Sequence, residues 1–130
     1  MTTITEDYVS FEIAKLLKEK GFDVYKDGSF GSEIKIWMEY SPFGKIKDVS
    51  SSRPSIKGYP APTLQMAMKW LREVHNLFVD IYYDYDFREG YKFSIHKLTK
   101  GTTLETNNEN YSTYEQACDK AIKYCLENLM

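Results

Sequence analysis

Few side chains in this chain could do chemistry. The two cysteines, Cys118 and Cys125, could ligate a metal or supply a thiolate. They stand seven residues apart in a segment with helical periodicity. That is about 10.5 Å along one helix face, more than a disulfide spans. Both project with Tyr114, Ala121, Ile122 and Leu129 into the middle of an apolar stripe, so buried, inert thiols are expected.

The histidines are His75 and His96. His75 falls at the end of a helical pattern, where an imidazole can meet a terminal carbonyl or the negative end of the dipole. His96 has the polar parity of its strand, with Lys92 and Ser94, and no partner for a catalytic triad is legible in one dimension. Asp80, Asp84, Asp86 and Glu89 gather around a turn. They fail the calcium-loop pattern, because Arg88 takes the third ligand place and no glycine follows it. A solvated acidic turn is expected there. The chain has no G-x-S-x-G, no phosphate-cradling glycine loop and no C-x-x-C pair. No sequence feature supports an enzyme, although His96 acting near the acidic hairpin is a third reading that a deep pocket holding His96 and a carboxylate would be needed to support; no metal site or cofactor is expected.

These residues must be positioned by one modest fold. A chain of 130 residues, 42% hydrophobic and 28% charged, is of ordinary globular composition and can form a core without metal or disulfide staples. Its 11 tyrosines are the outlier. A net charge of −2 gives no general attraction to nucleic acid or anionic membrane. No apolar run approaches the roughly 18 residues of a membrane span, and the first residues lack the pattern of a secretion signal. A cytoplasmic protein without membrane association is expected.

Thr5, Glu6 and Asp7 form a helix-start signal. Val9, Ile13, Leu16 and Leu17 follow as a one-sided stripe, with Gly21 and Phe22 set for a Schellman-type ending. Strands are expected from Phe22 to Lys26 and from Glu33 to Tyr40, the latter with Lys35, Trp37 and Glu39 on its polar side. Prolines, glycines and serines then mark a long loop over 41–61. It carries Lys45, Lys47, Arg53 and Lys57 against Asp48, the one locally basic segment.

A second helix is expected from Thr63 to His75, with an apolar arc of about 200°, wider than one sheet covers. It sits either between two layers, or with Met66 and Trp70 toward a partner. Strands follow from Leu77 to Tyr83 and from Tyr91, with Val79, Ile81 and Tyr83 matched to Tyr91, Phe93 and Ile95 as the inward set. A polar edge strand spans Thr102 to Thr106. Ser112-Thr113-Tyr114-Glu115 fits a capping box that opens the last helix. Both Ala14–Tyr25 and Met68–Tyr83 run a helix straight into a strand, consistent with either duplication or two ordinary amphipathic units.

The expected fold is α+β. It is a single domain with an antiparallel sheet of about five strands and three helices mainly on one face, in the order α-β-β-loop-α-β-β-β-α. It comprises a helix-hairpin unit (1–40), the long loop (41–61) and an α-β-β-β-α unit (62–130). The order from Thr63 onward resembles the double-stranded-RNA-binding domain, but the places where that family carries basic residues hold Ser112 to Gln116 and Asp84 to Glu89. The likeness therefore implies topology alone.

A resemblance covering more of the chain rests on Val9-Ser10-Phe11-Glu12, Ala14-Lys15-Leu16, Lys18 to Phe22, Tyr59 to Thr63, Lys69 to Glu73, Tyr114 to Ala117 and Ala121 to Leu126. These segments are similar to a family of small hypothetical proteins from phages and integrated elements of gut bacteria. That family carries no assigned activity, so the likeness implies a mobile-element origin and no residue roles.

The expected function is a non-enzymatic protein-interaction module. Its partner would be a host or phage protein, or a second copy in a homodimer. Trp37, Phe78, Tyr82, His96, Met66 and Trp70 are the candidate contacts, the first four on the sheet face opposite the helices among Lys35, Glu39, Asp80 and Lys92. The alternative is nucleic-acid binding, with Lys45, Lys47, Arg53 and Lys57 on phosphates and the sheet aromatics on bases.

Overall fold

The computed structural model describes residues 7–22, 38–48, 58–86, 89–106 and 109–130. The chain is α+β, with three helices and two three-stranded antiparallel sheets among these residues. It divides into two compact units, Met1–Thr63 and Leu64–Met130. The described strands thus form two sheets in place of the single sheet of about five expected. Lys35 and Trp37, and most of the strands expected over 22–26 and 33–40, lie outside the described residues.

In the first unit, helix α1 (Phe11–Glu19) packs on strand β3 (Tyr59–Pro60), which pairs with β1 (Met38–Tyr40), itself paired with β2 (Ile46–Asp48). The helix begins well after Thr5. Ser10 is its N-cap and accepts from the Ile13 N–H at 3.3 Å, because the residues before it are extended: Tyr8 bridges Thr63 and the Val9 N–H donates to the Pro62 carbonyl. The ending is as expected. Gly21 has φ +89°, its N–H donates to the Lys18 carbonyl, and the Phe22 N–H donates to the Leu17 carbonyl at 2.9 Å, the paired bonds of a Schellman motif. Val9, Ile13, Leu17 and Phe22 are fully buried. Strands β2 and β3 lie inside the segment expected to be loop. They were unreadable because three- and two-residue strands are too short for periodicity.

The second unit follows the expected α-β-β-β-α order. Helix α2 (Leu64–His75) leads into β4 (Leu77–Asp84), β5 (Gly90–Lys97), β6 (Thr102–Thr106) and α3 (Tyr114–Asn128). Val79, Ile81 and Tyr83 pair with Ile95, Phe93 and Tyr91 in the expected register. Between Ile95 and His96 the β5–β6 ladder shifts, leaving Leu104 as an extra residue between Thr103 and Glu105, the signature of a bulge.

Helices α2 and α3 pack on this sheet and on each other. The core gathers Phe93, Ile95, Leu71, Ala121, Ile122 and Leu126. This second neighbour accounts for part of the broad α2 arc: Leu64, Ala67, Met68, Trp70 and Leu71 are buried, while Met66 and Val74 are not. Asn76, at φ +57°, ends the helix, and its carbonyl accepts from the Leu98 N–H.

The cap of α3 is displaced by one residue from the expectation. Thr113 is the N-cap and accepts from the Gln116 N–H at 3.1 Å, while the Gln116 Oε1 accepts from both the Ser112 N–H and Ser112 Oγ. Glutamine at the third helical position does what Glu115 was expected to do.

Candidate interaction surfaces

Strand register places Phe78, Asp80, Tyr82 and Asp84 on one face of the second unit's sheet with His96, Ser94 and Lys92. Phe78 and His96 are directly opposite, with ring centroids 6.3 Å apart. His96 is in turn held from the next strand, its Nδ1 lying 3.0 Å from Thr103 Oγ1. Phe78 is 36% exposed, whereas Tyr82 and His96 are half-buried. The face is less bare than parity alone predicts. Lys92 and Asp84 form a 2.6 Å ion pair with side chains 14% and 19% exposed, and Ser94 is buried.

The other candidates fall elsewhere. Met66 is exposed on α2, but Trp70 is buried, its ring edge-on to His75 at 4.5 Å. Trp70 belongs to the interior and leaves the contact set. Trp37, Arg53 and Lys57 lie outside the described residues. Lys45 and Lys47 are exposed on the β1–β2 hairpin.

The chemistry-bearing residues are mostly accounted for structurally. Burial pushes the Cys118 and Cys125 thiols up to about 11 and about 12, so both stay protonated and unreactive at neutral pH. In the acidic turn Asp84 is neutralised by Lys92 and also accepts from the Asp86 N–H at 2.9 Å. No group of three potential metal ligands occurs among the described residues.

His75 does not cap as expected. Its own carbonyl accepts from Lys97 Nζ at 3.2 Å, while its Nε2 is buried with no hydrogen-bond partner among the described residues. The lysine therefore supplies the charge at the helix end. Burial, and secondarily the Lys97 charge, lowers the His75 pKa and keeps the ring neutral.

Three features were not found from the sequence. The first is the environment of Glu39. It was expected on a wet face but is 1% exposed. Lys47 Nζ lies 3.2 Å from its Oε1, and Gly58 lies so close that a Cβ there would stand 2.7 Å from its Oε2. Lys18 completes the surroundings, donating to the Gly58 carbonyl at 2.8 Å and lying 5.1 Å from the centre of the Tyr59 ring. Burial lowers the Lys18 pKa, and the Glu39 charge opposes this. Burying a carboxylate is tolerated only with such pairing. Phe11 packs between Tyr40 and Tyr59 at 5.4 and 5.5 Å, beside Gly44.

The second is the β1–β2 tip. Ser41 closes it, accepting through Oγ from the Phe43 and Lys45 N–H groups while its own N–H donates to the Lys45 carbonyl at 2.8 Å. The closed turn holds Phe43 outward at 96% exposure.

The third is a run of tyrosines at the β4–β5 turn end of the second sheet. Tyr83 meets Tyr85 at 4.6 Å and Tyr91 at 5.1 Å, and Tyr91 meets Tyr114 at 6.0 Å, all edge-on. The tyrosine count hinted at it, but the ring order depends on β5 and α3 meeting in space.

The geometry thus defines an α+β protein with exposed, pre-positioned aromatics and structurally committed titratable groups. No protein-family model, no curated protein and no solved structure matches the chain.

Proposed function

We propose that this chain is a non-enzymatic protein-interaction module, acting as an accessory protein of a phage-like mobile element. The observation that carries the interaction reading is the Phe78–His96 pair, an exposed aromatic set by a ring that Thr103 fixes. Such an anchor needs little ordering on binding, and a polar rim of Asp80, Asp84 and Lys92 suits a reversible contact. Tyr82 on the same face and Met66 on α2 extend the apolar contacts. The partner is a host or phage protein, with a second copy of the chain as the homodimer case. The mobile-element origin is supported by the sequence segments quoted above, and the cytoplasm is the compartment proposed.

Affinity capture from the native cell with mass spectrometry tests this, comparing the parent with a Phe78→Ser, Tyr82→Ser double variant. A specific protein should disappear from the capture while the melting temperature changes by only about 2–4 °C, as for loss of partly exposed side chains. An unchanged capture, or a large loss of stability, would overturn the assignment.

A second reading has its own support. Phe43 at 96% exposure beside Lys45 and Lys47 could stack on a base while lysines meet phosphates. It predicts a low-salt mobility shift with single-stranded DNA or RNA that Phe43→Ala removes; no shift excludes it.

A further inference from the structure

We infer that the tyrosine run of the second unit is a docking strip for a proline-rich peptide segment bearing arginine or lysine. Tyr85, Tyr83, Tyr91 and Tyr114 follow one another in three edge-on steps of 4.6, 5.1 and 6.0 Å. At these separations the rings touch each other. They leave no cage in which an ammonium could sit between faces, so the array is a strip and not a methyl-lysine pocket.

Polyproline II also fits the chemistry. Its backbone has no internal hydrogen bonds, so its carbonyls need external donors, and a phenol hydroxyl such as that of the exposed Tyr85 can donate. Its prolines pack on ring faces and are ordered before binding. The rings are accessible to different degrees: Tyr85 is 77% exposed, and Tyr83, Tyr91 and Tyr114 are half-buried. Tyr85 thus forms the open end and Tyr114 the anchored one, where its hydroxyl accepts from Gln65 Nε2 at 3.2 Å.

The charge around the strip sets the sign of the peptide. Partial burial, then Glu89 and the neighbouring phenols, raises the Tyr83 pKa. Carboxylates also adjoin both ends of the run in sequence, the exposed Glu115 after Tyr114 and the exposed Asp86 after Tyr85. Lys92 has the parity of the opposite sheet face and is tied to Asp84 at 2.6 Å. A peptide with a cation beyond its prolines gains from both the carboxylates and the ring faces.

This surface is separate from the Phe78 face, on the other parity of the same strands, and it deepens the protein-interaction reading by naming a partner class. The test is titration of the full chain with a labelled oligoproline carrying an arginine at each end. The controls are a glycine-serine peptide of equal length and charge, and the same oligoproline ended in glutamate. The arginine-flanked oligoproline should bind at least about tenfold more tightly than either control.

Tyr85→Ala should weaken that binding about tenfold or more, and Tyr85→Phe should weaken it less than Tyr85→Ala, since the ring remains. Because Tyr85 is largely solvated, both variants should keep the parent circular-dichroism spectrum. Equal binding of the glycine-serine peptide would show charge alone at work and overturn the proposal. So would undiminished affinity in Tyr85→Ala, or no binding at all. The capture experiment reads Phe78 and Tyr82 instead, so either result stands without the other.

Discussion

The described residues of the two units show different kinds of contact. Among the described residues of the first, strands of three, three and two residues are joined by side-chain contacts as well as by their ladders. Glu39 is buried against Lys47, Lys18 holds the Gly58 carbonyl, and the Tyr40 hydroxyl donates to the Val9 carbonyl at 2.7 Å. In the second, eight-residue strands and two longer helices enclose aliphatic and aromatic residues, with the thiols among them. Directional polar contacts fail abruptly when one partner is lost, because the other remains desolvated, whereas apolar burial fails in proportion to the volume removed. The contrast shows how polar side-chain contacts can join short strands beside buried apolar residues such as Val9, Ile13, Leu17 and Phe22.

Four measurements would break or sharpen that contrast. The largest effect is expected from Phe93→Ala, which empties a site 1% exposed and should cost about 3–5 kcal/mol in urea unfolding. A cost under about 1 kcal/mol would mean the second unit does not rest on its apolar interior. Next, Glu39→Ala should cost about 2–4 kcal/mol, somewhat reduced because Lys47 can reach water at 59% side-chain exposure. Lys47→Ala alone should cost more than an ordinary exposed lysine substitution, since it strips a partner from the buried carboxylate; equal, negligible losses from both would remove the polar explanation.

Thr113→Ala should lower stability by about 1 kcal/mol, and Ser10→Ala by a comparable or smaller amount given its longer 3.3 Å bond. Thermal melts of both would show whether the units respond together.

The smallest effect is the pH response of His75. Its pKa is lowered in the folded chain, so the unfolded chain takes up the proton first as pH falls. This residue therefore costs nothing above the ordinary histidine range near 6.5 and subtracts stability progressively below it. Melting temperatures between pH 7 and 5 should decline less in His75→Phe than in the parent. Equal slopes would show that the ring is not held neutral.

What was legible in the sequence follows from the same contrast. The second unit was read almost to the residue because period-two alternation over eight positions and a wide helical stripe are statistical signals. The pairing of Ile81 with Phe93 and the polar strand Thr102–Thr106 emerged from them. In the first unit the helix stripe, its Gly21–Phe22 ending and the strand at Met38–Tyr40 were read, but the burial of Glu39 was not, because the groups around it are scattered over 18, 47 and 58 and no local pattern joins them. Single-residue slips have local causes: at Ser112 and Thr113 two hydroxyls compete for one cap, and Gln116 decides between them. Of the candidate contacts, Phe78 and His96 were brought together by register, while Trp70 is buried, which was not legible because a broad apolar arc does not say which part of it stays exposed.

The displaced Leu104 carries a further implication for how the molecule behaves among its own kind. Among the described residues strand β6 pairs with β5 alone, and a border of evenly spaced amide groups invites a neighbouring chain to zip alongside. With Leu104 pushed out of step, the spacing along that border is uneven, and an incoming strand finds mismatched groups partway along. Deleting this one surplus leucine is therefore expected to mend the ladder and, by evening the threonine-rich margin, to leave the protein less soluble.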